Sequence, residues 1–402
     1  MRSRAEGGVK AEGQAEHDRT WIIPVRRCVS PETRAPVAKE DGGKEAGSMS
    51  SGFSFMITLL CVGSLLSTLT WFMVDDDSTV TSYKPPPQKK DSPNPSSLCK
   101  GCKELIDNVL KRHSKTWKKN EKNYQKFISE VSSSCRVDKA IITQDNTPVG
   151  TKISYDGEKS RMLQIKPNIF KTFIKEHPFS NQTFDTCAVV GNGGILMDSG
   201  CGKMIDSAQF VMRCNLPPLN DEYGKDVGAK TDLVTANPSI LKEKYGSLMN
   251  NRREFAESLM SYGTSFILLP AFSYGANTPL SLRVAYTVED FASPARPIFF
   301  NPDYLRNLSQ FWAGHGLKSR RLSTGIMMAS MALGACSNVH LYGFWPFANH
   351  PHRLYALTNH YYDDRKADTK FHAMPEEFDM LLKLHSQGVL RLHLGDCQSD
   401  HN

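Results

Sequence analysis

The chain has few of the patterns that announce metal chemistry. Its ten cysteines are scattered, and the one close pair, Cys99-Lys100-Gly101-Cys102, has no second C-x-x-C at finger spacing. No H-E-x-x-H occurs among the twelve histidines, so a helical metalloprotease site is excluded. Glycine falls short as well. Gly191 and Gly193 fit G-x-G, but Leu196 occupies the third glycine position of the dinucleotide fingerprint. Charge of one sign is thin: 49 Lys and Arg against 42 Asp and Glu leave +7, spread along the chain without the basic stripe of a nucleic-acid surface. Long apolar runs are limited to one, near the amino terminus.

That run organises the first hundred residues. Phe53 to Val74 is 22 residues without a charge, long enough at 1.5 Å per residue to span a bilayer. A cleaved signal peptide is the rival, but its apolar core would be shorter and no A-x-A site follows. Nothing basic follows the span directly, where Asp75-Asp76-Asp77 stands, so a type II arrangement is expected, with the amino terminus cytosolic. Residues 1–52 are then a cytoplasmic tail. Within it, 1–48 reads as a disordered extension and Met49 as a natural start. Residues 75–98 form a Pro/Ser/Lys stem, and 99–135 a helical region with Leu105, Ile106, Val109, Leu110, Phe127 and Ile128 on one face. The basic run from Lys111 to Lys119 reads as a solvated helix face. From 136 to 402 the pattern is that of a globular α/β domain. If the chain passes through an oxidising compartment, disulfides are the default for its cysteines. Asn181 and Asn307 head glycosylation sequons.

Within that domain the apolar run Cys187-Ala188-Val189-Val190 stops abruptly at Gly191-Asn192-Gly193-Gly194. This is a buried strand turning sharply where glycines let backbone approach a ligand. Two further runs, Phe210–Met212 and Asp232–Thr235, each end in a turn containing asparagine, Cys214-Asn215-Leu216-Pro217-Pro218 and Ala236-Asn237-Pro238-Ser239. Ligands of open α/β sheets sit outside the carboxyl ends of strands, so the three turns predict one shared nucleotide-type pocket. Further strands are expected at Ser265–Phe272, Pro297–Phe300 and Val389–Leu394, with a helix around Tyr304–Trp312.

Arg321-Leu322-Ser323-Thr324-Gly325 precedes the apolar helical run Ile326–Leu333, with Ser323 or Thr324 placed as N-cap at a terminus suited to phosphate. Asn338 to Phe347 is a strand ending in an aromatic cluster that includes Trp345. His360-Tyr361-Tyr362-Asp363 and His372, five residues before Glu377, then bring two histidines and several acids into a loop-rich stretch ahead of a helix from Pro375 to His385. Zinc is a rival for the two histidines, but a third close ligand is missing from the spacing.

These stretches carry a resemblance. The segment from Thr186 to Ile240 (CAVVGNGGIL…CG…ID…FVMRCNLPP…DVGAKT…NPSI) resembles the large sialylmotif of animal sialyltransferases, in the form of the α2,8 branch. Residues 319–347 resemble the small motif, His360–Asp363 the third motif, and His372 with Glu377 the very small H-x4-E motif, all in family order. The resemblance covers roughly Cys135 to Cys397. It implies a glycosyltransferase-A-like, Rossmann-like α/β fold in one luminal catalytic domain anchored in the Golgi membrane. The donor is CMP-sialic acid, with no cofactor and no metal. His372 is implied as base, His360 as partner of the leaving phosphate, and Asn192, Asn215, Ser323, Thr324, Gly325 and Trp345 as donor-binding residues. Disulfides are implied between Cys187 and Cys336 and between Cys201 and Cys397.

The implied reaction is inverting transfer of sialic acid onto a terminal sialic acid of gangliosides or O-linked glycoproteins. Polymer-making members carry a dense basic tract before the small motif. Here residues 296–321 hold only Arg296, Arg306, Lys318, Arg320 and Arg321, which points to the mono- and oligosialyl-transferring members. Two other classes compete. An inactive sialoglycan-binding protein would keep the pocket and lose the histidines; a nicotinamide-dependent oxidoreductase would use the Gly191 turn despite Leu196.

Overall fold

A computed structural model describes residues 102–113, 116–180, 182–318, 321–365 and 374–397. The expected tail, anchor and stem lie outside these residues, as do Asn181 and His372. Among the described residues no helix is long and apolar enough to cross a membrane.

The sheet is all parallel. Its strands are β3 (Phe184–Val190), β4 (Phe210–Arg213), β5 (Leu233–Thr235), β6 (Phe266–Leu269), β7 (Arg296–Phe299), β8 (Cys336–Tyr342) and β9 (Arg391–Leu392), after a small antiparallel pair, β1 (Lys152–Ser154) and β2 (Met162–Gln164). The spatial order is β7-β6-β5-β4-β3-β8-β9. The chain thus builds outward from β3 to one edge, then crosses back to lay β8 on the other side of β3. Cys187 pairs with Phe210 on one flank and Val339 on the other. The reversal leaves a crevice between the carboxyl ends of β3 and β8, where open α/β sheets bind ligands.

Why the strands read as continuous apolar runs is visible in β3. Cys187 and Val189 belong to one core, Ala188 and Val190 to the other, so both faces are covered. The longer helices are α1 (Cys102–Arg112), α2 (Glu121–Ser134), α3 (Asn277–Asp290), α4 (Pro302–Gly314), α5 (Thr324–Ala335) and α6 (Met374–Ser386). Helix α5 (TGIMMASMALGA) is apolar all round and is accordingly packed into the core, with Ile326, Met328, Met331 and Leu333 at most 1% exposed. Asn307 is exposed on α4.

Among the described residues, two disulfides are formed. Cys187 of β3 is bonded to Cys336 at the start of β8, and Cys201 to Cys397. Cys135 and Cys214 are buried thiols.

Three sequence expectations are corrected. Residues 103–131 form two helices. Asn120 caps α2 by accepting from the Asn123 N–H (3.1 Å), while its own N–H donates to the Gly388 carbonyl (2.9 Å). The basic run crosses the break between the helices, and Trp117 within it donates to the His385 carbonyl (3.1 Å). The last strand is confined to Arg391–Leu392, because Gly388 at φ 71° turns the chain and the Val389 N–H bonds back to Leu384. The strand β8 ends at Tyr342, where Gly343 takes φ 74°, so the aromatic cluster lies beyond the sheet.

Candidate active site

The carboxyl ends of β3, β4, β5 and β8 and the amino end of α5 enclose one open cleft of about 1120 Å³, its mouth included. It brings together Asn192, Asn215, Ser323, Thr324, Gly325, Trp345 and His360 from the sequence reading. His372 lies outside the described residues. The wall also contains Asn237, from the third predicted turn, Phe344 and Phe347, from the aromatic cluster, and Thr358 and Phe378, which the sequence did not single out.

The start of α5 shows how the floor is made. Four N–H groups at a helix start lack intrahelical partners. The Ser323 Oγ accepts from the Ile326 N–H (3.2 Å), and the Ser323 N–H donates to the Glu377 carboxylate (2.8 Å). Two donors of the first turn, the N–H groups of Thr324 and Gly325, remain at the cleft, where the helix dipole favours an anion. Glu377 is 2% exposed, and burial raises its carboxyl pKa against the hydrogen bonds from Ser323. Gly325 is required by packing, since a Cβ there would lie 2.8 Å from the Phe344 ring.

The asparagines are wired to one another. Asn192 Nδ2 donates to the Cys214 carbonyl (2.7 Å), joining the β3 turn to the β4 turn. Asn215 Oδ1 accepts from the Asn237 N–H (3.0 Å). The Asn237 amide in turn meets the Thr324 hydroxyl at 3.1 and 3.3 Å. Asn215 and Leu216 sit at φ 63° and 46°, a conformation costing about 1–3 kcal/mol for a residue such as leucine. Cys214 lines the same cleft, but burial pushes its thiol up to about 12, so it is no nucleophile near neutral pH.

The glycines of the β3 turn serve a second end as well, beyond the place of Gly191 and Gly193 in the cleft wall. A Cβ on Gly193 would stand 2.6 Å from the Gly343 carbonyl, and one on Gly194 2.4 Å from that of Thr358. Close approach here is protein against protein. It lets the segment carrying His360 lie directly on the turn, with Gly193 bridged to His360 and the Tyr361 N–H donating to the Asn192 carbonyl (2.9 Å).

His360 is held on three sides. Its Nδ1 lies 2.5 Å from Asp363 Oδ2, its backbone N–H donates to Asp363 Oδ1 (3.1 Å), and its ring stacks on Tyr362 at 5.1 Å. With Nδ1–H committed to the carboxylate, Nε2 is the other ring nitrogen, and it lies 3.3 Å from the Asn359 Nδ2 amide. Trp345 offers only its ring: its Nε1 donates to the Asn349 carbonyl (2.8 Å) and the indole packs edge-on against Phe347 and Phe378. Among the described residues no cluster of three or more His, Cys, Asp or Glu side chains is placed to share a metal ion.

Comparison with known proteins places the chain in a family. The model of glycosyltransferase family 29 (sialyltransferase) matches residues 141–389. The Homo sapiens alpha-2,8-sialyltransferase 8F is 45% identical over 283 residues, 70% of this chain and 71% of its own. The Homo sapiens alpha-2,8-sialyltransferase 8E is 45% identical over 295 residues, 73% of this chain and 78% of its own. Among solved structures, a mammalian sialyltransferase in complex with Gal-beta-1-3GalNAc-ortho-nitrophenol covers 76% of this chain and 91% of its own, at 19% identity and a TM-score of 0.39. The family match and the two sequence relatives decide the assignment: the chain is a glycosyltransferase and belongs to family 29, the sialyltransferases.

Proposed function

We propose that the chain transfers sialic acid from CMP-sialic acid, with inversion, to the 8-hydroxyl of a terminal sialic acid on a glycoconjugate. The observation that carries the linkage is the 45% identity to two alpha-2,8-sialyltransferases across about 70% of the chain. The donor assignment is supported by the cleft, whose two free N–H groups at the start of α5 suit a phosphate and whose rings suit a base or sugar.

In this reading the acceptor hydroxyl attacks C2 of the donor sugar as the bond to the CMP phosphate breaks on the opposite face. His372 takes the hydroxyl proton; the support is its spacing to Glu377, which forms part of the cleft wall. Negative charge grows on the departing phosphate oxygen. The N–H groups of Thr324 and Gly325 meet it, and His360, carrying a proton on both ring nitrogens with its Nδ1–H held by Asp363, donates to it from Nε2. Fixed donors of this kind supply the neutralisation that other enzymes take from a divalent ion, so transfer without added metal is expected.

The chain is further proposed to be a type II Golgi membrane protein, anchored through 53–74, with a glycosyltransferase-A-like catalytic domain in the lumen. Its products are short, on gangliosides or O-linked glycoproteins. The test is incubation of the full-length chain in EDTA with labelled CMP-sialic acid and, separately, a sialylated ganglioside and a sialylated O-glycoprotein. Label in either acceptor is the expected result. Binding of donor with no transfer to either would favour the inactive sialoglycan-binding alternative.

A further inference from the structure

The turn that presents Asn215 is strained, with Asn215 and Leu216 both at positive φ. A leucine there has its Cβ against the following carbonyl and would relax if released. From β5, Thr235 holds the turn: its Oγ1 accepts the Asn215 N–H (2.8 Å) and its carbonyl the Leu216 N–H (3.0 Å). The next two residues, Pro217 and Pro218, have no N–H, so only their carbonyls can be gripped. Each is. The Tyr361 hydroxyl donates to Pro218 (2.6 Å), and the Tyr262 hydroxyl donates to Pro217.

Tyr262 stands apart from everything assigned so far. It ends the one-turn helix Leu259–Tyr262, outside all four sialylmotif-like stretches, and is not part of the cleft wall. Yet it is buried, and its hydroxyl reaches 45 residues back along the chain to the donor-side turn. Asn215 Oδ1 is committed to the Asn237 N–H, so its Nδ2 is the group the turn offers to the cleft. Where that nitrogen points depends on the left-handed backbone beneath it.

We propose that Tyr262 is a positioning residue for the donor nucleotide. By holding the Pro217 carbonyl it keeps Asn215 and Leu216 left-handed, and so keeps the Asn215 amide in the cleft. This rests on the donor reading above. It names a residue for that site which no motif contains.

The test uses the full-length chain in detergent, with CMP as the calorimetric probe and CMP-sialic acid in steady-state kinetics. Tyr262→Phe removes the O–H and keeps the ring. Expected are rises of about tenfold in the Kd of CMP and in the KM for donor, with kcat at saturating donor within about twofold of wild type. Tyr245→Phe is the matched control. Tyr245 is 1% exposed and its hydroxyl bonds Ser258 Oγ (3.0 Å) and no carbonyl of the turn. It should lower Tm as Tyr262→Phe does and leave CMP affinity unchanged.

A folded Tyr262→Phe that binds CMP like wild type overturns the proposal, and so does equal loss of CMP affinity in Tyr245→Phe. Should Tyr262→Phe not fold, Leu216→Gly supplies a second background, because glycine takes this φ without strain. There the added Tyr262→Phe change should cost no more than about threefold in CMP affinity; a further tenfold loss overturns the strain-holding role. A wild-type chain that binds no CMP would overturn the donor reading and the proposal together.

Discussion

The Ser323 backbone N–H donates to the Glu377 carboxylate across 2.8 Å, tying the start of α5 to the first turn of α6. The bond fills one of the vacant donors at the helix start and leaves those of Thr324 and Gly325 at the cleft.

Removing the acceptor should therefore cost both stability and donor affinity. In Glu377→Ala the Ser323 N–H is left buried and unpaired, a loss of about 1–3 kcal/mol, and the KM for CMP-sialic acid is expected to rise. Glu377→Gln keeps an acceptor oxygen. Because burial raises the Glu377 pKa, ionisation opposes folding: that contribution to stability is present below the unfolded-state value and lost as pH rises through the folded one. Glu377→Gln is thus expected to match or exceed the wild-type Tm at pH 7 while binding CMP. Thermal melts and calorimetry on the two variants check this.

Asn237 joins three parts of the cleft wall, linking Asn215 through its N–H and Thr324 through its side chain. Asn237→Ala keeps the first link and cuts the second, freeing the Thr324 hydroxyl to turn. The KM for donor should rise by about tenfold, or about 1.4 kcal/mol, with a smaller fall in kcat. Unchanged donor kinetics would show that the bond between the Asn237 amide and the Thr324 hydroxyl does not position the donor site.

Acid should loosen the edge of the sheet beyond β8. His340 Nδ1 and His393 Nε2 lie 3.1 Å apart, His113 stacks on His385 at 4.3 Å, and Arg391 adds positive charge. Burial lowers His340 to about 4 and takes His393 well below its ordinary value. Half-buried His177 and buried His350 are also lowered to about 4. A group whose folded pKa lies below its unfolded value gives stability that is present above the unfolded value, about 6.5, and lost as pH falls through the folded one. The Tm is expected to decline from pH 7 to pH 5, and His340→Asn to flatten the decline. A profile that does not change over that range would contradict it.

The bond between Cys187 and Cys336 closes a sequence separation of 149 residues and pins the start of β8 to β3. Its loss should cost roughly 2–5 kcal/mol, or about 5–15 °C in Tm. Melts of a Cys187→Ala/Cys336→Ala variant, with and without reductant, separate this bridge from that of Cys201 and Cys397.

Much of this arrangement was legible in the sequence because it is local. Ala188–Val190 and Phe266–Leu269 are short apolar runs, and α5 is apolar all round, so both classes of element declare their burial. The three asparagine turns are each legible as strand ends. Their wiring is not, since Asn237 meets Thr324 across 87 residues and nothing in either neighbourhood signals it. Tyr262 is invisible for the same reason. Gly193 and Gly194 were legible as a tight turn, but a sequence cannot tell whether the thing that comes close is a ligand or the carbonyls of Gly343 and Thr358. The break between α1 and α2 escaped because its stops, the Asn120 cap and the Trp117 anchor, depend on Gly388 and His385 far along the chain.

The account is tested most directly by the linkage of the product. The full-length chain would be incubated in EDTA with CMP-sialic acid and a singly sialylated acceptor, and the isolated product analysed by two-dimensional NMR. The expected spectrum shows a second sialic acid, α-configured and joined through O8 of the first. Sialic acid joined at any other position, or a β-configured product, would contradict the proposed reaction.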